Sequence, residues 1–240
     1  MRKLKSSAGN YLRNQTWKNL GKAALCLTVF SLVFFSIILK ILLTFRVGFF
    51  EEAVLLVSLL PLAAFYYFLH RYRVYRGGWE GEKLVAKLLS ATLSDEYYLI
   101  NGVHFRGGGD IDHIILGPNG VFAVETKNWS GRITCNGDDW QRQGRRHVSG
   151  SPSRQAKNNA AKIKRTLDAS ATLRPLNIWV EAILVFTNSH TDLHTYNPTV
   201  PTLKLHQLPN YITTHKNHNR NRYTTHQLQQ IADEIQKQTH

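Results

Sequence analysis

The sequence predicts an α/β domain that follows a two-helix membrane anchor. Two apolar runs, 23–45 and 53–69, are long enough to span a bilayer. Behind them, segments with helical hydrophobic spacing alternate with short segments rich in β-branched and aromatic residues. The expected organisation is a basic cytoplasmic tail (1–22), a transmembrane helical hairpin (23–69), a linker (70–78), an α/β domain (79–207), and a polar loop with a C-terminal helix (208–240).

The membrane anchor is favoured over two other interpretations of the apolar runs. A signal peptide is one alternative, but no small-residue cleavage pattern follows the first run, and a second apolar run does. Two buried helices of a soluble protein are the other alternative. Basic residues flank the outer ends of the pair, six of them before the first run. The positive-inside rule therefore predicts that both termini and the α/β domain are cytoplasmic.

The composition points to a polyanionic partner. Thirty Lys and Arg residues against sixteen Asp and Glu give a net charge of +14, which favours nucleic acid or anionic lipid. The two cysteines, Cys26 and Cys135, have no metal-ligand spacing and do not suggest a disulfide framework, so the folded part fits a reducing compartment. The eleven histidines lie mostly in predicted loops without ligand spacing, and a zinc site is not expected.

A helix is predicted from Trp79 to about Leu93 at the start of the α/β domain. Gly77-Gly78 marks the passage from the anchor into this helix. Glu82 lies three residues before Val85 and seven before Leu89, which places its carboxylate on the buried edge of the helix. A carboxylate in that position needs a partner. The alternative is a first-turn glutamate that interacts favourably with the helix dipole.

A β-hairpin that carries carboxylates follows a first strand at about 97–105. Its turn is Gly117-Pro118-Asn119-Gly120, and symmetric pairing around this turn makes paired residue numbers sum to 237. Asp112 is then opposite Glu125, and Asp110 is opposite Lys127. Because side chains alternate along a strand, all four side chains share one face of the hairpin.

Opposed carboxylates on one sheet face destabilise a hairpin unless a positive charge compensates them. A divalent cation would do so, since Mg²⁺ is usually held by one or two carboxylates plus waters and phosphate oxygens. Such an ion lowers the pKa of a bound water, and Lys127 would hold that water or neutralise the transition state. The alternative is a solvated hairpin face with a surface ion pair.

The remaining segments supply a basic region and the rest of the domain. Between 141 and 165 there is no acidic residue, which makes this region a candidate phosphate-backbone surface. Its basic residues are Arg142, Arg145, Arg146, Arg154, Lys157, Lys162, Lys164 and Arg165. Ser151-Pro152 is typical of a helix start and places Gln155 in the first turns. Further strands are predicted at 132–135, 178–186 and 202–205, and a final helix at 225–237.

Residues 79 to about 205 resemble the nuclease-related domain family (NERD), a branch of the PD-(D/E)XK nuclease superfamily. The resemblance is carried by Gly81-Glu82, by the hairpin from Asp110 to Lys127 with Asn128-Trp129-Ser130-Gly131 after it, and by Gln155. It implies a restriction-endonuclease-like αβββαβ core with a central mixed sheet. It also implies that Asp112 and Glu125 are metal ligands and Lys127 is the catalytic lysine. Glu82 would reach the site from the first helix and Gln155 from the second.

The leading hypothesis is a membrane-anchored nuclease of the bacterial inner membrane that uses Mg²⁺ or Mn²⁺ and acts on nucleic acid, with DNA favoured. Asp112 and Glu125 would hold the metal, and Glu82 would complete its shell directly or through water. The backbone would be gripped by Arg142, Arg145, Arg146, Arg154 and Lys157.

Two rival hypotheses belong to other classes. One is a catalytically inactive module of the same fold that binds nucleic acid or another polyanion near the membrane. The other is a structural membrane protein whose basic residues contact anionic lipid. The second rival leaves the opposed carboxylates unexplained.

Overall fold

The computed structural model describes residues 1–4, 11–44, 48–105, 109–144, 150–217 and 222–238, which contain five α-helices and nine β-strands. The helices are α1 (Tyr11–Thr44), α2 (Phe49–Thr92), α3 (Pro152–Ala169), α4 (Leu208–Thr214) and α5 (Thr225–Lys237). The strands are β1 (Arg2–Leu4), β2 (Tyr98–His104), β3 (Asp110–Gly117), β4 (Gly120–Lys127), β5 (Gly131–Asn136), β6 (Asp139–Arg142), β7 (Val180–Phe186), β8 (Thr191–Tyr196) and β9 (Thr202–Lys204).

The chain divides into two compact units, one of residues 11–79 and one that holds the described residues before and after that segment. The first unit contains α1 and the part of α2 up to residue 79. Their most apolar windows have mean hydropathies of 2.5 and 1.9, and only 6% of each window is buried. By length and composition both helices are therefore able to cross a membrane.

The helix predicted to begin at Trp79 begins at Phe49, although the division between the two units does fall after residue 79. Helix α2 runs without interruption from Phe49 to Thr92, through Pro61 and through the Gly77-Gly78 pair that we expected to form a linker. Glycine costs a helix only about 1 kcal/mol relative to alanine. A helix with many turns on either side tolerates that cost, so the glycines do not end it.

A central mixed sheet organises the second unit, as the sequence predicts. Its six strands lie in the order β1-β2-β3-β4-β7-β9. The middle strands β2, β3 and β4 are antiparallel, whereas β1 pairs with β2, β4 with β7, and β7 with β9 in parallel. Along the chain, the end of α2 is followed by these antiparallel strands, later by α3, and then by β7.

The hairpin register is confirmed near the turn and fails at its open end. The ladder pairs residues whose numbers sum to 237 from Gly117–Gly120 to His113–Val124, around a two-residue turn. Beyond that point Asp112 does not pair with Glu125. Strand β7 pairs with the other edge of β4 along its whole length, from Val121 to Lys127, and the Asp112 carboxylate accepts the Thr126 backbone N–H at 2.7 Å. Asp110 likewise pairs with His104 of β2 and not with Lys127.

Helices cover both faces of the central sheet. On one face α3 and α5 pack over buried side chains that include Ile100, Ile111, Ile114, Ile163 and Ile231. On the other face the last turns of α2 and the short α4 pack over a second set, including Val85, Leu89, Leu99, Phe122 and Ile212. Strands β4 and β7 are thus buried on both sides, which explains their continuous apolar runs.

Four elements were not predicted. Residues 2–4, assigned to a cytoplasmic tail, form β1 at the sheet edge, and residues 208–214, assigned to a polar loop, form α4. The predicted strand at 132–135 exists as β5, but it lies in a separate three-stranded sheet with the unpredicted β6 and β8. These segments are short or polar, and their hydrophobic periodicity is too weak to reveal them.

Candidate active site

Glu125 and Lys127 lie two residues apart on β4 and share one face of the strand. The Glu125 side chain is 2% exposed and that of Lys127 is 18% exposed. The Lys127 ammonium donates to Oε1 of Glu125 at 2.7 Å. The buried carboxylate thus has a positive partner, as a buried charge requires.

Helix α3 places two amide side chains over this pair. The helix begins at Pro152, and its N-cap Ser151 accepts the backbone N–H of Arg154, as the sequence predicts. Gln155 in the first turns accepts the Lys127 ammonium through Oε1 at 3.0 Å. One turn later the buried Asn159 donates from Nδ2 to Oε2 of Glu125 at 3.0 Å.

Asn159 is the residue that the sequence prediction missed. Its signal is its position four residues after Gln155, which puts both amides on the same side of α3. Asn159 is also a polar residue in the buried stripe that contains Ala156, Ala160 and Ile163. A buried amide needs a hydrogen-bond partner, and here the partner is the central carboxylate of the site.

Two further carboxyl groups, those of Asp112 and Glu82, interact electrostatically with Glu125. Burial raises the pKa of Asp112 well above its usual range, and the charges of Glu125 and Glu82 raise it further. Burial, followed by the charges of Glu125 and Asp110, raises the pKa of Glu82 to about 7. The carboxylates therefore act on each other electrostatically, although no hydrogen-bonded ladder sets them in opposition.

Gly81 explains how Glu82 approaches the strands. A Cβ at position 81 would lie 2.8 Å from Oγ1 of Thr187 and 3.1 Å from Cβ of Asn128. These residues follow β7 and β4 directly. The absence of a side chain lets α2 pack closely against the two strand ends, with the next residue carrying its carboxylate to the site.

The donor set fits a hard divalent cation only in part. Within the described ranges, no three His, Cys, Asp or Glu side chains converge as a metal-binding group. Asp112 and Glu125 nevertheless offer carboxylate oxygens. Burial and, after it, repulsion by neighbouring carboxylates raise the pKa values of Asp112 and Glu82, and a bound cation would relieve the repulsion. Mg²⁺ needs only one or two protein carboxylates because waters and substrate oxygens complete its shell.

A cleft of about 410 Å³ opens beside Lys127 and Gln155. The residues that line it are Gly109, Asp110, Lys127, Trp129, Gly150, Ser151, Pro152, Arg154, Gln155, Asn158 and Asn159. Gln155 and Asn159, which hydrogen-bond to Lys127 and Glu125 from α3, thus both line the cleft. Lys127 is therefore accessible from this cleft.

The predicted basic residues have different surroundings. Arg154 lines the cleft with its side chain 72% exposed. Arg142 lies on β6 and donates to the Ser130 carbonyl at 3.2 Å. Lys157 is paired with Asp138 at 2.6 Å and also donates to Thr199. Arg145 and Arg146 lie outside the described residues.

Asp138 accounts for the pairing of Lys157. It lies just before the acid-free segment, so a count over 141–165 does not include it. Hydrogen bonds from Lys157, Ser153 and Thr199 lower the pKa of this carboxyl. Asp138 therefore ties the loop between β5 and β6 to α3, and Lys157 is not available as an unpaired cation.

Comparison with known proteins supports the resemblance seen in the sequence. The model of the nuclease-related domain family (NERD) matches residues 77–187. An uncharacterized protein of Bacillus anthracis is 45% identical over 60 residues, which make up 23% of this chain and 28% of that protein. The match thus spans less than a third of that relative. No solved structure gives a significant match.

Proposed function

We propose that the nuclease-related domain of this chain is a divalent-metal-dependent nuclease that hydrolyses phosphodiester bonds in nucleic acid, with DNA favoured. The observation that carries the proposal is the site on β4. Glu125 and Lys127 share one face, the carboxylates of Asp112 and Glu82 act on that site electrostatically, and a cleft opens over the lysine.

The roles follow from the chemistry of each side chain. Asp112 and Glu125 would hold Mg²⁺ or Mn²⁺, and Glu82 would contribute directly or through water. The ion would supply charge neutralisation and a more acidic bound water. Lys127 would orient the attacking water and stabilise negative charge on the phosphoryl oxygens. Hydrolysis adds water to phosphorus and breaks one P–O ester bond, and the leaving oxygen takes up a proton.

The nucleic-acid substrate is supported by charge and by the order of elements. The chain carries a net charge of +14, and Arg154 stands exposed in the cleft wall beside Lys127. The end of α2, the strands β2, β3 and β4, then α3 and the parallel β7 are compatible with the αβββαβ order that the resemblance implies, with β5 and β6 inserted before α3. In that correspondence Gln155 would lie on the second helix.

The membrane location is the second part of the proposal. Helices α1 and α2 would anchor the protein in a bacterial inner membrane. Strand β1 precedes the first helix yet pairs with β2 of the domain. Both ends of the two-helix segment then lie on the same side of any membrane the helices span, and the positive-inside rule makes that side cytoplasmic.

A cleavage assay tests the activity. The full-length chain in detergent is incubated with plasmid and with single-stranded DNA in Mg²⁺, Mn²⁺ or chelator, alongside Glu125→Gln and Lys127→Ala. We expect metal-dependent cutting that both variants reduce by at least about 100-fold, since each removes a charge at the reacting group. Cutting that persists in both variants would overturn the assignment of this site.

The second candidate is an inactive nuclease-fold module that binds nucleic acid. It is favoured by the absence of a converging trio of His, Cys, Asp or Glu ligands in the part of the chain that the structure describes. It is also favoured by the Lys127 ammonium, which already neutralises Glu125. DNA binding with steep salt dependence but no cleavage under any metal would support this candidate.

A further inference from the structure

The two oxygens of Glu125 have different partners. Oε2 receives Nδ2 of the buried Asn159 at 3.0 Å, and Oε1 receives the Lys127 ammonium at 2.7 Å. Asn159 is 6% exposed and held on a helix, so its contact is fixed. Lys127 has a flexible stem and a second acceptor, Oε1 of Gln155 at 3.0 Å.

Because their partners differ, the two oxygens of Glu125 have different roles. The bond from Asn159 orients the carboxylate from one side and leaves Oε1 as the oxygen with an exchangeable partner. A divalent cation and a lysine ammonium both neutralise a carboxylate, and they compete for one oxygen because like charges repel. When Lys127 leaves Oε1, Gln155 offers it an acceptor at the mouth of the cleft.

We propose that α3 acts as an amide clamp, in which Asn159 fixes Glu125 while Lys127 passes from Glu125 to Gln155 as Oε1 is given up to a divalent cation. The inference rests on the proposed function, since it requires that Glu125 be a metal ligand. Asn159 is then a positioning residue, and Lys127 occupies the cation's place until the cation binds.

Cation-induced thermal stabilisation tests the clamp without any activity measurement. Melting temperatures of the full-length chain in detergent are recorded over a concentration series of Mn²⁺, from chelator upward. We expect Asn159→Leu, which keeps the side-chain volume but loses the N–H donor, to need roughly tenfold more Mn²⁺ for half of the shift. The matched control is Gln229→Leu, which removes an exposed amide on α5 outside the cleft lining and should leave the midpoint unchanged.

Lys127→Met should shift the Mn²⁺ midpoint in the opposite direction from Asn159→Leu. Removal of the competing ammonium should lower the melting temperature in chelator and lower the Mn²⁺ midpoint. A lysine that merely supports the fold would lower the melting temperature and leave the midpoint unchanged. In a Glu125→Gln background, Asn159→Leu should have no further effect on the midpoint, because no carboxylate remains to be positioned.

The outcomes separate the clamp from the function on which it rests. If the wild-type chain shows no Mn²⁺-induced shift, the metal-dependent function fails and the clamp fails with it. If the wild type responds but Asn159→Leu and Lys127→Met keep the wild-type midpoint, the clamp alone is overturned. Should Asn159→Leu not fold, the sign of the Lys127→Met change decides the exchange by itself.

Discussion

Glu125 is a buried carboxylate whose two oxygens both receive hydrogen bonds, one from a cation and one from an amide. Burial raises the pKa of Glu125, and Lys127 and Asn159 oppose that rise. Removing either partner would leave a buried acceptor without its donor, which costs about 1–3 kcal/mol. Two contacts thus hold the Glu125 carboxylate in place.

Glu82 carries a charge that destabilises the metal-free fold. Its pKa rises from 4.5 to about 7, because of burial and repulsion by Glu125 and Asp110. Between pH 4.5 and pH 7 the native state binds more protons than the unfolded state. The free energy of unfolding that the protonated Glu82 side chain contributes is therefore fully present below pH 4.5 and is lost as the pH rises through 7.

We therefore expect Glu82→Gln to melt a few degrees above the wild type at pH 8 in chelator, a gain on the order of 1 kcal/mol for this partly exposed group. The gain should vanish near pH 4.5, where the glutamate is protonated. Thermal unfolding of both proteins at the two pH values measures it. A variant less stable than the wild type at pH 8 would show that the carboxylate is satisfied in the fold.

Cys135 is predicted to be chemically inert in the folded chain. It is 1% exposed, and burial raises its pKa to about 11. At pH 8 only about one thiol in a thousand is then ionised, and the thiolate is the reactive form. In a Cys26→Ser background, iodoacetamide should label Cys135 far more slowly in the native protein than in urea. Equal rates in the two conditions would contradict its burial.

The sequence predicts the pairing of β3 with β4 near the turn but not at the open end of the hairpin. The turn residues and alternation give the register that sums to 237, and the ladder obeys it from Gly117 to His113. Beyond that point the Asp112 carboxylate accepts the Thr126 backbone N–H, in place of a backbone ladder bond. Strand alternation predicts which face a side chain lies on, but it does not predict that the side chain will accept a backbone hydrogen bond.

The structure brings several of the predicted residues together. Lys127 hydrogen-bonds Glu125 and Gln155, and Glu125 acts electrostatically on Glu82. Their roles in a site stay a prediction. Asn159 was missed because a single buried asparagine in a helix gives no motif. The pairing of Lys157 with Asp138 was missed for a related reason, since it joins a loop to a helix across nineteen positions of sequence.

The close approach of α2 to the strand ends depends on Gly81. Alanine there would place a Cβ 2.8 Å from the Thr187 hydroxyl. We expect Gly81→Ala to destabilise the fold by about 1–3 kcal/mol, because overpacking outweighs the gain in helix propensity of about 1 kcal/mol. It should also displace Glu82 and weaken the cation response.

Gly21→Ala is the matched control for that change. Gly21 lies in α1, and a Cβ added there would meet no atom within 4 Å outside its own stretch of helix. The control should leave the melting temperature of the domain unchanged. If Gly81→Ala is as stable as this control, the close helix–strand packing does not constrain the site.

The short strand β1 joins the segment before the two apolar helices to the sheet of the domain. Its three residues pair in parallel with β2, and the N-terminal amine contacts Asp95 at 2.6 Å. The segment before the two apolar helices and the domain after them thus share one sheet. Composition alone predicted only a basic tail here, because three residues carry no periodicity.

This sheet sharing predicts the topology of the anchor. Alkaline phosphatase fused after residue 48 should be active in a bacterial host, and phosphatase fused at the C-terminus should be inactive, while a C-terminal green fluorescent protein should fluoresce. The reverse pattern would place the domain outside the cytoplasm. Activity of both phosphatase fusions would show that α2 does not span the membrane.

We propose that the β4 site cuts nucleic acid, and a paired measurement of cleavage and binding tests this claim. Cleavage and binding of the same DNA are measured on the same preparations of full-length wild type and Asp112→Asn, with Mg²⁺ present. We predict that the substitution abolishes cleavage and leaves binding unchanged or tighter, because it removes a ligand charge that also repels phosphate. Equal cleavage by both proteins, or loss of binding and cleavage together, would contradict the claim.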